Sequence, residues 1–499
     1  MPRMRPDPEL FVDFGSTPIR ETTFYGAMQK PLGFHRMPRQ APLFHTNEVT
    51  TKRSLAEGIV ARLRAEGFAA YFAGGCVRDL LLGREPHDFD VATSARPETV
   101  LEMFPRTFSV GAHFGVVLVA DGSEDGEIVT EVATFRNDGA YSDGRHPDAV
   151  RFSDSAEEDV RRRDFTINGM LLDPISLRET GDLAGAVLDF VGGRVDLEAG
   201  SVRAIGDPRL RFEEDKLRML RAVRFAARFG FALEERTAAA IRALAARIEL
   251  VRRERMRDEL TRMLTEGQAR RAFELLDATG LLREVLPEIA KMHGVEQPPE
   301  FHPEGDVWVH TLLLLEKLPP DASPALAWGA LLHDVGKPAT FRRAPDRIRF
   351  DGHVEVGVRI AEEILRRLRF SLEETHQVLS LVENHMRFGD VQRMKESTLK
   401  RFFRLPGFEE HLALHRMDAL SSFGGLENYE FAKTRYEATP VEEVRPRLLV
   451  TGDDLIAAGY QPGPRFKEML ALAEDAQLEG RIGSREEGMR LIREAFPVE

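Results

Sequence analysis

Two glycines set between a short apolar run and a helical run constrain this chain most. Phe68 to Phe72 reads as a strand, Gly74-Gly75 as a tight turn, and Val77 to Leu82 as a helix. A turn without Cβ atoms lets the backbone approach a triphosphate closely, next to a helix start with free amides. Ten residues after Arg78 stand Asp88 and Asp90, separated by one residue. On a strand, positions i and i+2 face the same side, so the two carboxylates are expected to converge. Two hard oxygen ligands on one face suit Mg2+, which also binds substrate phosphates. One such ion would acidify an attacking 3′-hydroxyl, and a second would hold leaving pyrophosphate. The bland alternative is a Gly-Gly turn followed by a solvated acidic strand.

The run from Gly74 to Asp79 with Asp88-Phe89-Asp90 resembles the signature of class II tRNA nucleotidyltransferases and bacterial poly(A) polymerases, within the polymerase-β-like superfamily. That resemblance implies metal-binding carboxylates at Asp88 and Asp90. Glu131, in Glu131-Val-Ala-Thr-Phe-Arg136, is the candidate third acid, with a plain sheet residue as the alternative. Gly74, Gly75 and Arg78 are grouped with the nucleotide-binding residues.

Two further motifs follow in order. Arg161-Arg162-Arg163-Asp164-Phe165-Thr166-Ile167-Asn168 offers guanidinium forks for phosphate oxygens, with a carboxylate and an amide for ribose hydroxyls. In the resembling family this motif selects ribonucleotides, which implies Arg163 on the triphosphate and Asp164 with Asn168 on the 2′-hydroxyl side. Glu213-Glu214-Asp215-Lys216-Leu217-Arg218 then resembles the family's amino-acid template. Asp215 and Arg218, expected at i and i+3 of one helix face, would read the base edge, with Glu214 propping them. Arg221 and Arg224 are expected nearer phosphate and primer. Alone, such a set reads equally as a helix-surface ion pair. Glu254-Arg255 with Glu259 resembles the motif that braces the template helix. The Gly-rich polar run between Arg136 and Arg151 reads as a mobile loop, which in the family helps switch the pocket from CTP to ATP.

A separate set stands downstream: His310, His333-Asp334 and Asp418, with His353 and His385 between them. His and Asp are suitable ligands for a divalent transition metal. A buried His-Asp pair without a partner would be costly, so a metal is the natural explanation. The set resembles the HD phosphohydrolase superfamily, whose minimal ligands match His310, His333, Asp334 and Asp418; His353 and His385 would support a second metal. The implied chemistry is hydrolysis of a phosphoester, such as a 2′,3′-cyclic or terminal phosphate on RNA ends.

Charge bears on the partner. The formal net charge of −13 argues against a protein that is basic all over, yet Arg203 to Arg271 carries about eighteen Arg or Lys. An RNA surface is therefore expected as a stripe. One cysteine, Cys76, excludes an internal disulfide, and no apolar run reaches membrane-span length. A cytoplasmic protein without membrane or DNA partners is expected.

The expected fold class is α+β. A small polymerase-β-like head, a mixed sheet with helices, precedes an all-α neck and body, an all-α HD domain and a helical tail. The expected segments are 1–48, a flexible extension or over-annotated start with Met37 as an alternative initiator; 49–180, the head; 181–295, the neck and body; 296–430, the HD domain; and 431–499, the tail. Ser54-Leu-Ala-Glu is expected to cap a first helix. In the tail, Leu448 to Phe466 reads as helix, Gly-rich turn, helix; the resemblance implies a tRNA contact there, with a small packing unit as the alternative. The expected activity is addition or repair of the 3′-terminal CCA of tRNA from CTP and ATP with Mg2+. A poly(A) polymerase and a partial CC- or A-adding enzyme share the motifs. An HD hydrolase with a vestigial head and a non-catalytic RNA binder are disfavoured by intact Asp88 and Asp90.

Overall fold

The computed structural model describes residues 51–109, 115–121, 128–138, 150–300, 302–303, 305–422 and 425–497. The expected N-terminal extension, and residues 139–149 of the expected polar loop, lie outside the described residues.

Helix α1 spans Lys52–Ala65. Its cap is Thr51, not Ser54: the Ser54 amide donates to Thr51 Oγ1 at 3.1 Å, and the Thr51 amide donates to Ser54 Oγ at 2.8 Å. The two hydroxyl residues satisfy each other's amides, and Glu57 is taken by Arg53 at 2.9 Å. Strand β1 (Ala70–Ala73) leads into helix α2 (Gly75–Leu81). Strand β2 is Asp90–Thr93, followed by β3 (Thr107–Phe108), β4 (Val116–Ala120) and β5 (Val129–Thr134). They form one mixed sheet in the order β3-β4-β5-β2-β1, extended by Met170–Leu172 and Val187–Asp189. β2 runs antiparallel to β1 and parallel to β5.

The register corrects one expectation. Ala73 pairs with Asp90, so β1 has already turned into α2 at the position that would face Asp88. Asp88 therefore precedes the strand, anchored by buried Phe89, whose ring packs edge-on to Phe72 at 5.2 Å. On either side of residues 139–149, Arg136–Asp138 and Val150–Phe152 form an antiparallel pair.

Past the sheet the described residues are mostly helical, with two short strand pairs, Ser201–Val202 with Ala232–Leu233 and one further along. Helix Leu217–Phe229 buries Met219, Leu220 and Val223 completely between Arg253–Thr265 and Ala269–Ala278. Each such side chain contributes about 1.5–3 kcal/mol. Asp215 is not on this helix, which is the second correction. Helix Pro208–Glu214 ends at Asp215, whose backbone is extended (φ −141°, ψ 106°). The Asp215 carboxylate accepts the Leu217 amide at 3.1 Å, so it caps the next helix from outside.

The Trp328 indole donates to Thr261 at 2.9 Å, docking helix Pro324–Leu332 on the neck. One continuous apolar core runs from Leu55 to Met417. Two smaller cores follow, one from Phe388 to Val444 and one from Val450 to Ile492. A short hairpin pairs Arg342–Arg343 with Ile348–Arg349. In the tail, Gly452–Ala457 and Arg465–Leu478 are helical, while Leu448 to Val450 is not.

Candidate nucleotide and metal sites

The Gly-Gly turn and the arginine motif meet. Gly74 holds φ +76°, a left-handed backbone that disfavours side chains. A Cβ there would stand 3.3 Å from Arg163 Nη1. Arg163 is aimed at this turn by Asp159, which accepts its Nη2 at 2.9 Å and also accepts Arg162 Nη2 at 2.7 Å. Asp159 is fully buried, and the sequence reading passed over it. Its spacing of three and four residues before Arg162 and Arg163 was the available signal. Burial alone would raise its pKa; the two guanidinium groups outweigh this and hold it below the usual carboxylate range.

Asp90 and Glu131 lie on neighbouring parallel strands, each one residue before the Val91–Val132 pair. Burial, and then the Glu131 charge, push Asp90 up to about 6, with Asp88 adding to the effect and Arg163 opposing it. Glu131 keeps an exposed edge, yet desolvation and then Asp88 raise its pKa. The three acids thus share one field. Asp88 itself is exposed: Lys52 Nζ contacts Oδ1 at 2.7 Å, and His87 Nδ1 contacts Oδ2 at 3.1 Å. Burial pushes Asp88 up, but these two neighbours hold its pKa below normal. Lys52 and His87 were missed because they are neither acidic nor part of the motif. Mutually repelling carboxylates at a strand end fit a hard divalent cation, which would relieve the repulsion.

A chain of alternating charges joins head to neck. Arg78 is buried; it donates to Asn168 Oδ1 at 2.5 Å and to Asp79 at 2.8 Å, with Phe229 4.5 Å beneath it. Asn168 Nδ2 donates to Asp164 at 3.4 Å, and Asp164 receives Arg221 at 2.7 Å. Glu259 receives Arg224 at 2.7 Å, and Glu266 receives it at 3.0 Å. The structure therefore turns Arg78 and Arg224 inward, as braces of the turn and of the helix Leu217–Phe229. Expected phosphate and primer contacts at these two are not what their packing presents. Asp164 is likewise occupied by Arg221 and not open toward a ribose.

Asp215 and Arg218, the expected template pair, are each held by another residue. Glu214 Oε2 accepts Arg218 Nη1 at 2.6 Å. Arg255 grips both Asp215 oxygens, at 3.2 and 2.8 Å. Asp215 and Arg218 are thus not paired with each other, and both stand half-buried with orientation imposed by other residues.

Downstream, five elements converge. His310 comes from helix Val307–Glu316, and His333 and Asp334 follow helix Pro324–Leu332. His353 opens helix His353–Arg367, His385 follows Leu372–Asn384, and Asp418 sits on Phe408–Ser421. Gly336 permits the approach: a Cβ there would fall 2.0 Å from the His353 carbonyl oxygen. Nδ1 of His333, His353 and His385 lies 2.9, 2.9 and 2.6 Å from the carbonyls of Ala330, Phe350 and Val382. A carbonyl only accepts, so each Nδ1 carries the proton and each Nε2 presents a lone pair. Those three Nε2 atoms are buried without a well-formed hydrogen bond. They lie 3.1, 3.8 and 3.8 Å from Asp334 oxygens. Lone pairs facing a carboxylate call for a cation, so the donor set fits metal. Two groups are close enough to share an ion: His310, His333 and Asp418; and Asp334, His353 and His385.

His310 meets Asp418 at 3.1 Å. Burial raises both Asp334 and Asp418, yet the surrounding histidines, with Lys337 beside Asp334, hold both well below the usual range. Burial, and then His333, lower His385 to about 4, which keeps it neutral at ordinary pH. The set borders a cavity of about 660 Å³ also lined by Lys337, His302, Glu300, Phe350 and Met386. Buried Lys337, with Nζ 2.6 Å from Asp334 and 2.7 Å from Gln297, was missed although it follows Asp334 by three residues.

A family model for the poly A polymerase head domain matches residues 70–203. A model described as the probable RNA and SrmB-binding site of polymerase A matches 230–292, and an HD domain model matches 306–421. The chain is 32% identical over 439 residues to a CCA-adding enzyme of Geobacillus sp. strain WCH70, covering 87% of this chain and 94% of that protein. The chain belongs to the CCA-adding enzyme family. A relative from Geobacillus kaustophilus is 34% identical over 421 residues, covering 83% and 90%. The crystal structure of the Bacillus stearothermophilus CCA-adding enzyme in complex with CTP superposes with a TM-score of 0.66 at 29% identity, covering 90% of this chain and 98% of that one. Membership makes the chain a nucleotidyltransferase, and the expected α+β head with helical body is the fold observed. Among the described residues, no helix is long and apolar enough to cross a membrane.

Proposed function

We propose that this enzyme adds or repairs the 3′-terminal CCA of tRNA from CTP and ATP. The observation that carries this reading is the juxtaposition of Arg163 with the Gly74 turn beside Asp90, together with Arg218 and Asp215 held in place by Glu214 and Arg255. Relatives named as CCA-adding enzymes, one of them captured with CTP, support it. The RNA 3′-hydroxyl attacks the α-phosphorus, the bond to the β-phosphate breaks, pyrophosphate leaves, and the hydroxyl proton is lost. Asp88, Asp90 and Glu131 would hold Mg2+, which supplies charge to acidify the hydroxyl and bind pyrophosphate. The Gly74-Gly75 backbone and Arg163 would hold the triphosphate. Asp215 and Arg218 would read the amino, keto and ring-nitrogen edge shared in part by cytosine and adenine. Asn168 and Arg221 would line the ribose side.

The decisive assay supplies tRNA ending before C, after CC, or complete, with each labelled nucleotide. Stepwise completion to CCA and no further supports the reading. Extension of complete CCA with A points to a poly(A) polymerase, and a single permitted step points to a partial enzyme. Loss of addition in Asp88→Ala is required.

A second activity is favoured by the convergent His Nε2 atoms. We propose phosphoester hydrolysis at the HD site, where His310, His333, Asp334, His353, His385 and Asp418 would hold one or two divalent transition metals supplying Lewis acidity. Lys337 would face the phosphate. The proposed working division keeps the head near 49–180, the neck and body to about 295, the HD domain to about 430 and a tRNA-contacting tail beyond. A cytoplasmic setting accords with the tRNA substrate.

A further inference from the structure

A second cationic cavity opens on the seam between head and neck, apart from the template pair. Its volume is about 590 Å³. Among the described residues, four guanidinium groups line it, from Arg161, Arg203, Arg211 and Arg236, against a single lining carboxylate, Glu234. Both Glu234 oxygens are already engaged, accepting the Arg236 amide at 3.0 Å and the Thr237 amide at 2.7 Å. Three of the arginines are steadied by one carboxylate each: Arg161 by Glu157, Arg203 by Asp196 and Arg211 by Glu214. Arg236 is exposed and makes no side-chain hydrogen bond or ion pair among the described residues. The Phe190 ring lines the same cavity and is 37% exposed, a flat apolar face beside four cations.

We infer that this cavity is a binding pocket for a phosphate and base of the RNA substrate. Four cations drawn from separate elements, in a chain of net charge −13, mark a local anion site and not a generally basic surface. An exposed aromatic face beside guanidinium groups is what an unpaired base and its phosphate require. The pocket also touches the template: Arg211 and Arg218 share Glu214 Oε2, at 2.8 and 2.6 Å. An RNA phosphate that draws on Arg211 would therefore bear on the residue that orients Arg218, joining primer occupancy to base reading.

The pocket rests on the tRNA reading above, and its test is binding to the full-length protein without nucleotide, so it stands apart from whether addition occurs. Affinity for tRNA would be measured against salt for wild type, Arg236→Glu and Phe190→Ala, alongside KM for CTP. The expected result is a several-fold weaker affinity in both variants. In Arg236→Glu the salt slope should also fall by about one, the loss of roughly one phosphate contact. With tRNA saturating, so that the pocket is filled in every variant, KM for CTP should be unchanged. Unaltered tRNA affinity and slope in both variants would overturn the pocket. So would a rise in KM for CTP with tRNA affinity intact, which would make it a site for free nucleotide. Absence of tRNA binding by wild type would instead remove the tRNA reading, and the pocket with it.

Discussion

Arg163 stands directly over Gly74: its Nη1 lies 3.3 Å from the position a Gly74 Cβ would take. A left-handed glycine and a buried-side arginine thereby form one surface, with backbone below and guanidinium above. Gly74→Ala would cost about 1–3 kcal/mol in backbone strain at φ 76°, ψ −126° and press on the guanidinium. KM for CTP and ATP should rise about tenfold or more, with tRNA affinity unchanged. Equal KM values for variant and wild type would detach Arg163 and Gly74 from the triphosphate.

Asp159→Asn removes the buried anion shared by Arg162 and Arg163. Breaking such a pair from one side should cost about 2 kcal/mol or more at neutral pH. The folded pKa of Asp159 lies below its ordinary 3.8. Its contribution is therefore fully present above that value and is lost as pH falls through the folded pKa. Thermal melts should show a large gap between wild type and variant at pH 7 that narrows below about pH 4. A gap independent of pH would contradict this account of Asp159.

Arg255→Ala frees Asp215 from its two-point grip while leaving the head acids untouched. Misincorporation of UTP or GTP on tRNA ending in CC should rise on the order of tenfold, about 1.4 kcal/mol of discrimination. The turnover of CTP on its proper primer should fall less. If fidelity held and only stability fell, Arg255 would be a packing residue alone.

His333→Ala and chelation address the HD site. Metal analysis of the purified protein should find divalent transition metal that His333→Ala reduces by at least one equivalent. Phosphoester hydrolysis should vanish with it, while nucleotide addition with Mg2+ persists. Chelation should lower Tm, because metal bound only to the folded state stabilises that state. Metal content equal in wild type and variant would rule out His333 as a ligand.

The strand, Gly-Gly turn and helix, the ordered motifs and the six His and Asp side chains that converge downstream were all legible in the sequence. Each is local in chain or carried by residue type, and backbone propensity and spacing act over a few positions. What the tertiary structure alone decided is where side chains point. Asp164 meets Arg221 across 57 residues, and Arg224 meets Glu259 across 35. Asp215 answers to Arg255 and not to Arg218, and Lys52 reaches Asp88 from 36 residues away. Asp88 misses its strand because its partner strand has already turned into a helix at that register. Spacing can bring two residues onto one face, but only packing against a distant helix or strand determines which charge each of them meets.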